Sequence, residues 1–506
     1  MTQARDGSAP RQLAAIDLGS NSFHLLIVEY SEGYFKTLEK RGEKVQLADG
    51  MDHHGQLSEE AMERAMACLA MFARFIDGIA PEDIRIVGTN ALRIASNSGE
   101  FLSRAQQFLQ HDIEIISGRE EARLIYLGAA HALADVHGRR LVADIGGGST
   151  EMIIGERFTP LALESLEMGC VVYTDRFFAD GRVTEKNFRQ AEREARSELA
   201  SIARNYRRLG WQDPIGTSGT IRATAEILEA HQQCSEGIIT RKGLEWLKKR
   251  LIKAGQLEGL ALDGLKPTRA RVYPAGLAIL RAIFDLLELE SMRYAGGALR
   301  EGVMYDLIGR NTPEDPRHES VKALVKRFDI DERQQLNVCQ TADILFSSAR
   351  SEWGLTELHR CYLQWAASLH EMGLSISHAR FHRHGSYILE NADLSGFSRP
   401  EQGLLAFLVR AHRRRYPTRE ARQLPERQAL HFQRIAVLLR LAVMLNHSRD
   451  DEPFQDLSLT IKGETLILTL PEQDTLRLND AEREAHYLQE AGITLEVAIR
   501  QTNPPA

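Results

Sequence analysis

The feature that most restricts how this chain can fold is a repeat. Residues 15–29 read Ala-Ile-Asp-Leu-Gly-Ser-Asn-Ser-Phe-His-Leu-Leu-Ile-Val-Glu and align without a gap on residues 142–156, Val-Ala-Asp-Ile-Gly-Gly-Gly-Ser-Thr-Glu-Met-Ile-Ile-Gly-Glu. Asp17 falls on Asp144, Gly19 on Gly146, Ser22 on Ser149 and Glu29 on Glu156. In each copy two short apolar runs flank glycine and hydroxyl residues, which predicts strand, turn, strand. The glycines Gly146, Gly147 and Gly148 are expected to take positive φ and to let a polyanion approach the backbone, whose N–H groups would hold phosphate oxygens with the Ser149 and Thr150 hydroxyls. Asp144 and Glu151 flank that cradle, which suits a divalent cation or an activated water. Alone, either copy reads equally as a flexible turn with a capping Asp. Together they predict an internal duplication with two phosphate loops facing each other across a cleft. Neither loop has the Lys-Ser/Thr ending of a P-loop or the Gly-x-Gly-x-x-Gly of a Rossmann turn, so those folds are disfavoured.

Paired Asp-x-Gly hairpins of this kind resemble the actin, sugar-kinase and acetate-kinase superfamily. Asp17-Leu-Gly-Ser-Asn-Ser and Asp144-Ile-Gly-Gly-Gly-Ser-Thr-Glu are similar to its exopolyphosphatase and guanosine pentaphosphate phosphatase family. Ser117-Gly-Arg-Glu-Glu-Ala-Arg, Gly216-Thr-Ser-Gly-Thr and Gly296-Gly-Ala-Leu-Arg-Glu-Gly match further family motifs in order. The resemblance is specific over about the first 310 residues and weaker to the C-terminus. It implies an α/β fold of two duplicated actin-like (ribonuclease-H-like) lobes, 1–125 and 126–310.

From the residues alone, Ser117 and Glu120 have capping-box spacing, and Glu121 reads as a solvated first-turn glutamate that favours the helix dipole. The resemblance reverses that reading, because the second glutamate of the Glu-Glu-Ala motif matches the family's catalytic one. It likewise implies that Arg93, otherwise an ordinary surface arginine, faces the phosphates. The loop 214–220 precedes a helix, so its N–H groups, Gly219 among them, are placed to receive an anion.

Composition bounds the rest. The 506 residues, 43% hydrophobic, suit three or four domains. No apolar run approaches the ~20 residues of a membrane span, and the first ten residues lack the apolar core of a signal peptide, so a cytoplasmic protein is expected. Five scattered cysteines without metal-ligand spacing read as reduced thiols. The net charge of −7 disfavours nucleic acid as a partner, yet a polyanionic substrate needs only local positive charge. The resemblance adds a homodimer, with peripheral association at a membrane as a further expectation.

Residues 311–316 have a linker's composition. The stretch 311–450 reads helical, and 451–506 opens with an alternating hairpin and reads as a small α+β domain. The helical part carries His370-Glu371, His378, His382, His384, His412 and Asn446-His447. It resembles a His-Asp metal phosphohydrolase (HD) domain, but Glu371 and Val443 stand where Asp residues belong. Hydrolytic metal ions need carboxylates as well as imidazoles, so a degenerate all-α HD-like domain is expected. The basic runs 378–384 and 410–415 predict a clamp for a long anionic chain, with His378 and Arg380 lining its path.

These readings converge on a processive exopolyphosphatase acting on inorganic polyphosphate. Guanosine pentaphosphate hydrolysis is the alternative, and an actin-like nucleotide-binding regulatory scaffold is a further one. In that scheme Ser20, Asn21, Ser22, Arg93, Gly146–Ser149 and Gly219 hold phosphate. Glu121 deprotonates water with Glu151 as the other catalytic carboxylate, and Mg²⁺ binds near Asp17, Asp144 and Glu151.

Overall fold

The computed structural model describes residues 11–31, 34–133, 138–234, 237–257, 262–310, 315–450, 457–471 and 474–500. The first ten residues, the centre of the expected linker at 311–314 and the stretch 451–456 lie outside them. The chain divides into two compact units, Met1–Arg310 and Asn311–Ala506.

The duplication is written into the sheets of the first unit. Strands β1 (Arg11–Leu18), β2 (Phe23–Ser31) and β3 (Tyr34–Glu43) form an antiparallel meander, to which β4 (Ile84–Gly88) and β5 (Ile113–Ile115) add in parallel in the order β3-β2-β1-β4-β5. The second lobe repeats the plan with β6 (Arg139–Ile145), β7 (Thr150–Glu156), β8 (Thr159–Leu166), β9 (Asp213–Thr217), β10 (Ile238–Thr240) and β11 (Ser291–Tyr294), ordered β10-β11-β9-β6-β7-β8. Both hairpins close with the same bond, Gly19 N–H to Ser22 O at 3.2 Å and Gly146 N–H to Ser149 O at 2.9 Å.

The central strands are near-continuous apolar runs because both their faces are covered. Successive side chains point to opposite faces, so each strand serves two cores. Ala14, Ile16 and Leu18 of β1 pack with the helix Glu59–Ile76, whereas Leu13 and Ala15 join a layer shared by the two lobes. In β6, Leu141, Ala143 and Ile145 pack in the second lobe's own core, and Val142 joins the shared layer. That layer is filled by Leu124, Tyr126 and Ala129 of the helix Gly118–Ala132 and by Val303 and Met304 of the helix Leu299–Gly309. The alternation carries the shared face on to Asp17, two residues beyond Ala15, and to Asp144, two beyond Val142. Both carboxylates therefore look into the space where the apolar layer stops.

The two layer helices touch backbone to backbone. A Cβ on Gly128 would lie 2.1 Å from the Ala298 carbonyl oxygen, and one on Gly302 would lie 1.8 Å from that of Leu124. Beside this contact, Asp306 accepts from the guanidinium groups of Arg85, Arg123 and Arg310. Burial alone would push its pKa up, but the three cations hold it well below the usual carboxylate range.

In the second unit, helices from Pro316 to Leu445 precede a three-stranded sheet of β12 (Ser458–Lys462), β13 (Thr465–Pro471) and β14 (Thr494–Arg500). Leu459, Leu466 and Leu468 of the sheet belong to one apolar cluster with Leu438, Leu439 and Leu445. The helix Glu426–Leu445 alone among the described helices is long and apolar enough to span a membrane by length and composition. Its run from Ile435 to Ala442 is buried in that cluster, as in the core helix of a folded domain.

Candidate active site

The site is a cleft of about 220 Å³ between the two hairpin turns of the first unit. Asp17 pairs in register with His24 across β1 and β2, and Asp144 pairs with Glu151 across β6 and β7. All four side chains line the cleft with Glu121. Ser117 starts the helix of Glu121 by accepting the Glu120 N–H at 3.2 Å. Glu120 turns into the protein, where its two oxygens accept from Arg123 at 2.8 Å each. Glu121, one residue on, therefore faces the cleft.

Arg93 stands behind Glu121 rather than among the lining residues. Its Nη1 donates to Glu121 Oε2 at 3.3 Å and to the Ile116 carbonyl at 2.8 Å. In this structure Arg93 therefore orients a carboxylate; the family motif implied that it also faces the phosphates. Ser20, Asn21, Ser22, Gly146, Gly147, Gly148, Ser149 and Gly219 all line the cleft. His378 and Arg380 belong to the second unit, where both are exposed just before the helix Phe381–Asn391.

The triple glycine works differently from the sequence expectation. None of Gly146, Gly147 and Gly148 is among the positive-φ residues. Gly147 and Gly148 are small because the opposite lobe is close: a Cβ on Gly147 would lie 3.2 Å from Ser20 Cβ, and one on Gly148 would lie 2.1 Å from Asn90 Oδ1, whereas one on Gly146 would meet the Ser149 carbonyl of its own turn at 3.0 Å. The left-handed residue of the site is instead Ser218, at φ 72°, which is costly for a residue with a Cβ. Its hydroxyl accepts the Ile145 N–H at 3.2 Å and donates to the Ile145 carbonyl at 3.0 Å, tying the second turn to the helix Ser218–Ala230.

Four carboxylates share this confined space, and for Glu121, Asp144 and Glu151 the neighbouring carboxylates add to burial in disfavouring the charged form. Burial, opposed by Arg93 and reinforced by Asp17, pushes Glu121 up to about 7. Burial raises Asp144 to about 6, although the Thr217 hydroxyl donates to its Oδ2. Glu151 is pushed well above its usual range by burial, then by Glu121 and Asp144, with Ser165 Oγ donating to its Oε1 at 2.8 Å. Asp17 Oδ1 and Glu151 Oε2 are buried without a hydrogen-bond partner. Crowded, under-satisfied carboxylate oxygens are a donor set for a hard cation. Among the described residues no three His, Cys, Asp or Glu side chains could hold a metal ion by themselves. That is compatible with Mg²⁺, which usually takes one or two carboxylates and completes its shell with water and substrate phosphate.

Cations line the same cleft. Arg269 lies over Gly219, where a Cβ would sit 1.5 Å from its Nη2, and it has no ion-pair or side-chain hydrogen-bond partner among the described residues. Arg222 and Arg300 also line the cleft. Sequence reasoning gave none of the three a role. His24 it could have found, since the gap-free alignment that pairs Asp17 with Asp144 also pairs His24 with Glu151.

With this geometry in place, the relatives can be compared. Residues 26–311 match the model of the Ppx/GppA phosphatase family, and residues 317–492 match that family's domain III. The chain belongs to the Ppx/GppA phosphatase family. Members of the family hydrolyse phosphoanhydride bonds. A protein of Vibrio atlanticus is 43% identical over 92% of this chain and 93% of its own length, and one of Vibrio cholerae is 41% identical over 96% and 97%. Both are named guanosine-5'-triphosphate,3'-diphosphate pyrophosphatase. The structure of an exopolyphosphatase from Cytophaga hutchinsonii, 28% identical, superposes with a TM-score of 0.54 over 59% of this chain and 98% of its own. That of an Aquifex aeolicus family member, 26% identical, superposes with a TM-score of 0.51 over 60% and 100%. These relatives correct one step of the sequence argument. The basic runs of the C-terminal half point to polyphosphate as the first substrate, but proteins named for the nucleotide share that half over nearly their whole length.

Proposed function

We propose that this protein hydrolyses the terminal 5′ phosphoanhydride of guanosine pentaphosphate (GTP 3′-diphosphate), releasing phosphate and guanosine tetraphosphate. The observation that carries the chemistry is Glu121, a buried carboxylate held by Arg93 beside the turn Gly146–Ser149. A group whose pKa lies near neutrality both accepts a proton readily and is substantially ionised at working pH. A water beside Glu121 would lose a proton to its carboxylate as the new P–O bond forms. The bridging P–O bond breaks on the far side, and the electron pair leaves with the guanosine tetraphosphate. The backbone N–H groups of the two turns, with Ser20, Ser22 and Ser149, hold the terminal phosphoryl oxygens, and Arg269 takes the next phosphates. Mg²⁺ at Asp144 and Glu151, when bound, would neutralise charge on the phosphoryl oxygens.

The choice of nucleotide rests on the names of the two Vibrio proteins. Polyphosphate is the second reading, favoured by the Cytophaga structure and by the meeting of the two basic runs in the second unit. There Arg383 and Arg410 line one pocket of about 490 Å³ with Arg419, beside the exposed His378 and Arg380. Phosphate release from guanosine pentaphosphate, polyphosphate and ATP, compared in one assay, decides between the readings. The nucleotide reading requires the highest kcat/KM for guanosine pentaphosphate, and a higher value for polyphosphate would replace it.

A further inference from the structure

The cleft carries both signs of charge. Asp17, Asp144 and Glu151 stand on the hairpins and Glu121 on the helix Gly118–Ala132, while Arg222 and Arg300 line the same cleft from two neighbouring strand-to-helix junctions and Arg269 from the turn Pro267–Arg269. The two junctions are paired structurally. β9 and β11 run parallel with Tyr294 opposite Gly216, and Ala295 N–H donates to Gly216 O at 2.9 Å. β9 passes directly into the helix Ser218–Ala230 and β11 passes through residues 295–298 into the helix Leu299–Gly309. Arg300 occupies the first turn of its helix and Arg222 the start of the second turn of the other.

Neither charge is fully used by the protein. Arg222 Nε lies 3.8 Å from Glu226 Oε1 with both side chains about 40% exposed, a pairing of little strength, and its other partner is the neutral Tyr294 hydroxyl, which leaves the charge uncompensated. Arg300 meets Glu301 at 3.1 Å, but Lys40 meets the same Glu301 oxygen at 3.1 Å, so two cations share one carboxylate. Glu301 is further engaged with the Ala298 N–H, also at 3.1 Å. Arg269 stands nearer the reacting end, where it feels both Asp144 and Arg222.

We propose that Arg222 and Arg300 bind the 3′-diphosphate of guanosine pentaphosphate and are the residues by which the cleft distinguishes it from GTP. This rests on the nucleotide reading above. The reacting triphosphate must reach the carboxylates, and Arg269 with the turn N–H groups holds it. A second phosphate group, branching from the other side of the ribose, needs a second cationic patch set back from the reacting one. Arg300 supplies it from the first turn of one helix and Arg222 from the next turn of the adjacent one. GTP has no group to place there.

Guanosine pentaphosphate and GTP carry the same 5′ triphosphate, so the ratio of their kcat/KM values isolates the 3′ group. In the full-length protein, Arg222→Gln with Arg300→Gln should lower that ratio at least tenfold, equivalent to about 1.4 kcal/mol. Rising salt should erode the wild-type ratio. Lysine at either position should restore part of the ratio, and Arg189→Gln, on an exposed helix face, should leave it unchanged. Arg222→Gln alone, at a half-exposed position that packing does not need, should lower it at least threefold even if the double variant folds poorly. A wild type that prefers guanosine pentaphosphate and a folded double variant with the same preference would overturn the subsite alone. A wild type with no preference for guanosine pentaphosphate over GTP would overturn the nucleotide reading and the subsite together.

Discussion

Arg93 Nη1 reaches Glu121 Oε2 and the Ile116 carbonyl at once, at 3.3 and 2.8 Å. One guanidinium thus ties a carboxylate on the helix Gly118–Ala132 to the backbone that follows β5. The carboxylate's direction is set by the fold before any substrate arrives. Glu121→Gln keeps the size and the donor–acceptor geometry but cannot take a proton from water. Turnover should fall about 10²–10⁴-fold with substrate affinity retained, measured by phosphate release beside equilibrium binding. Near-normal turnover would move the base to another carboxylate, Glu151 first. Arg93→Lys should lower kcat more than it raises KM, because the shorter side chain ends in a freely rotating ammonium that does not fix the carboxylate's direction as the planar guanidinium does.

The cation prediction concerns Asp144. Its Oδ2 accepts from Thr217, and its neighbours Asp17 and Glu151 each have a buried oxygen left free. Asp144→Asn replaces a hard anionic ligand with a weaker neutral one. The Mg²⁺ concentration for half-maximal activity should rise about tenfold or more, and Mn²⁺ binding followed by electron paramagnetic resonance should weaken in parallel. If neither titration moves, Asp144 does not hold the ion.

Gly128→Ala tests the weld between the lobes. A methyl group there meets the Ala298 carbonyl and the Gly302 N–H, both backbone atoms that cannot turn aside. Overpacking of a tight contact costs about 1–3 kcal/mol. The thermal midpoint should drop, and activity should fall with it because Glu121 rides on the displaced helix. An unchanged midpoint would mean that the two helices separate freely.

The second unit should weaken in acid. The rings of His370, His382 and His412 are buried, with Nε2 of His370 and His412 and Nδ1 of His382 unpartnered. Burial, with Arg410, Arg413 and Arg383 nearby, depresses His382 to about 4, and burial followed by His370 takes His412 well below its ordinary value. A depressed histidine pKa means that the unfolded chain binds the proton first. The stability is complete above about pH 6.5 and is lost as pH falls from there to about 4, by up to ~3 kcal/mol for His382. Hydrogen exchange in the helix Arg399–Ala411 should accelerate over that window, and His382→Gln should flatten the response. Equal acceleration in both proteins would clear His382 of the effect.

Much of the cleft could be read from the amino acids because it is built from repeated local chemistry. Two Asp-led apolar runs around a small-residue turn announce paired hairpins, and Ser117 and Ser58 announce helix starts that each then caps through its hydroxyl. What escaped reading depends on approach between distant segments. The glycines at 147 and 148 were assigned to backbone freedom, and only the opposing Ser20 and Asn90 reveal that they provide space. The bond of Arg93 to Glu121 could not be foreseen without the Ile116 carbonyl in view. Arg269 and Arg222 are isolated arginines among many, and Arg300, although it lies in the motif Gly296-Gly-Ala-Leu-Arg-Glu-Gly, carries no mark of a cleft role until the chain is folded.

The register pairs Asp17 with His24 in one hairpin and Asp144 with Glu151 in the other. A perfectly doubled ancestor would have presented the same pair from both sides, and such a cleft has a twofold axis through its centre. A phosphate chain entering it would meet the same surroundings from either direction. Exchanging one acid for an imidazole removes that axis and gives the cleft a polarity. On the proposed function, the chain end would then have one productive orientation, with its attacked phosphorus beside the second hairpin and its remainder directed away from it.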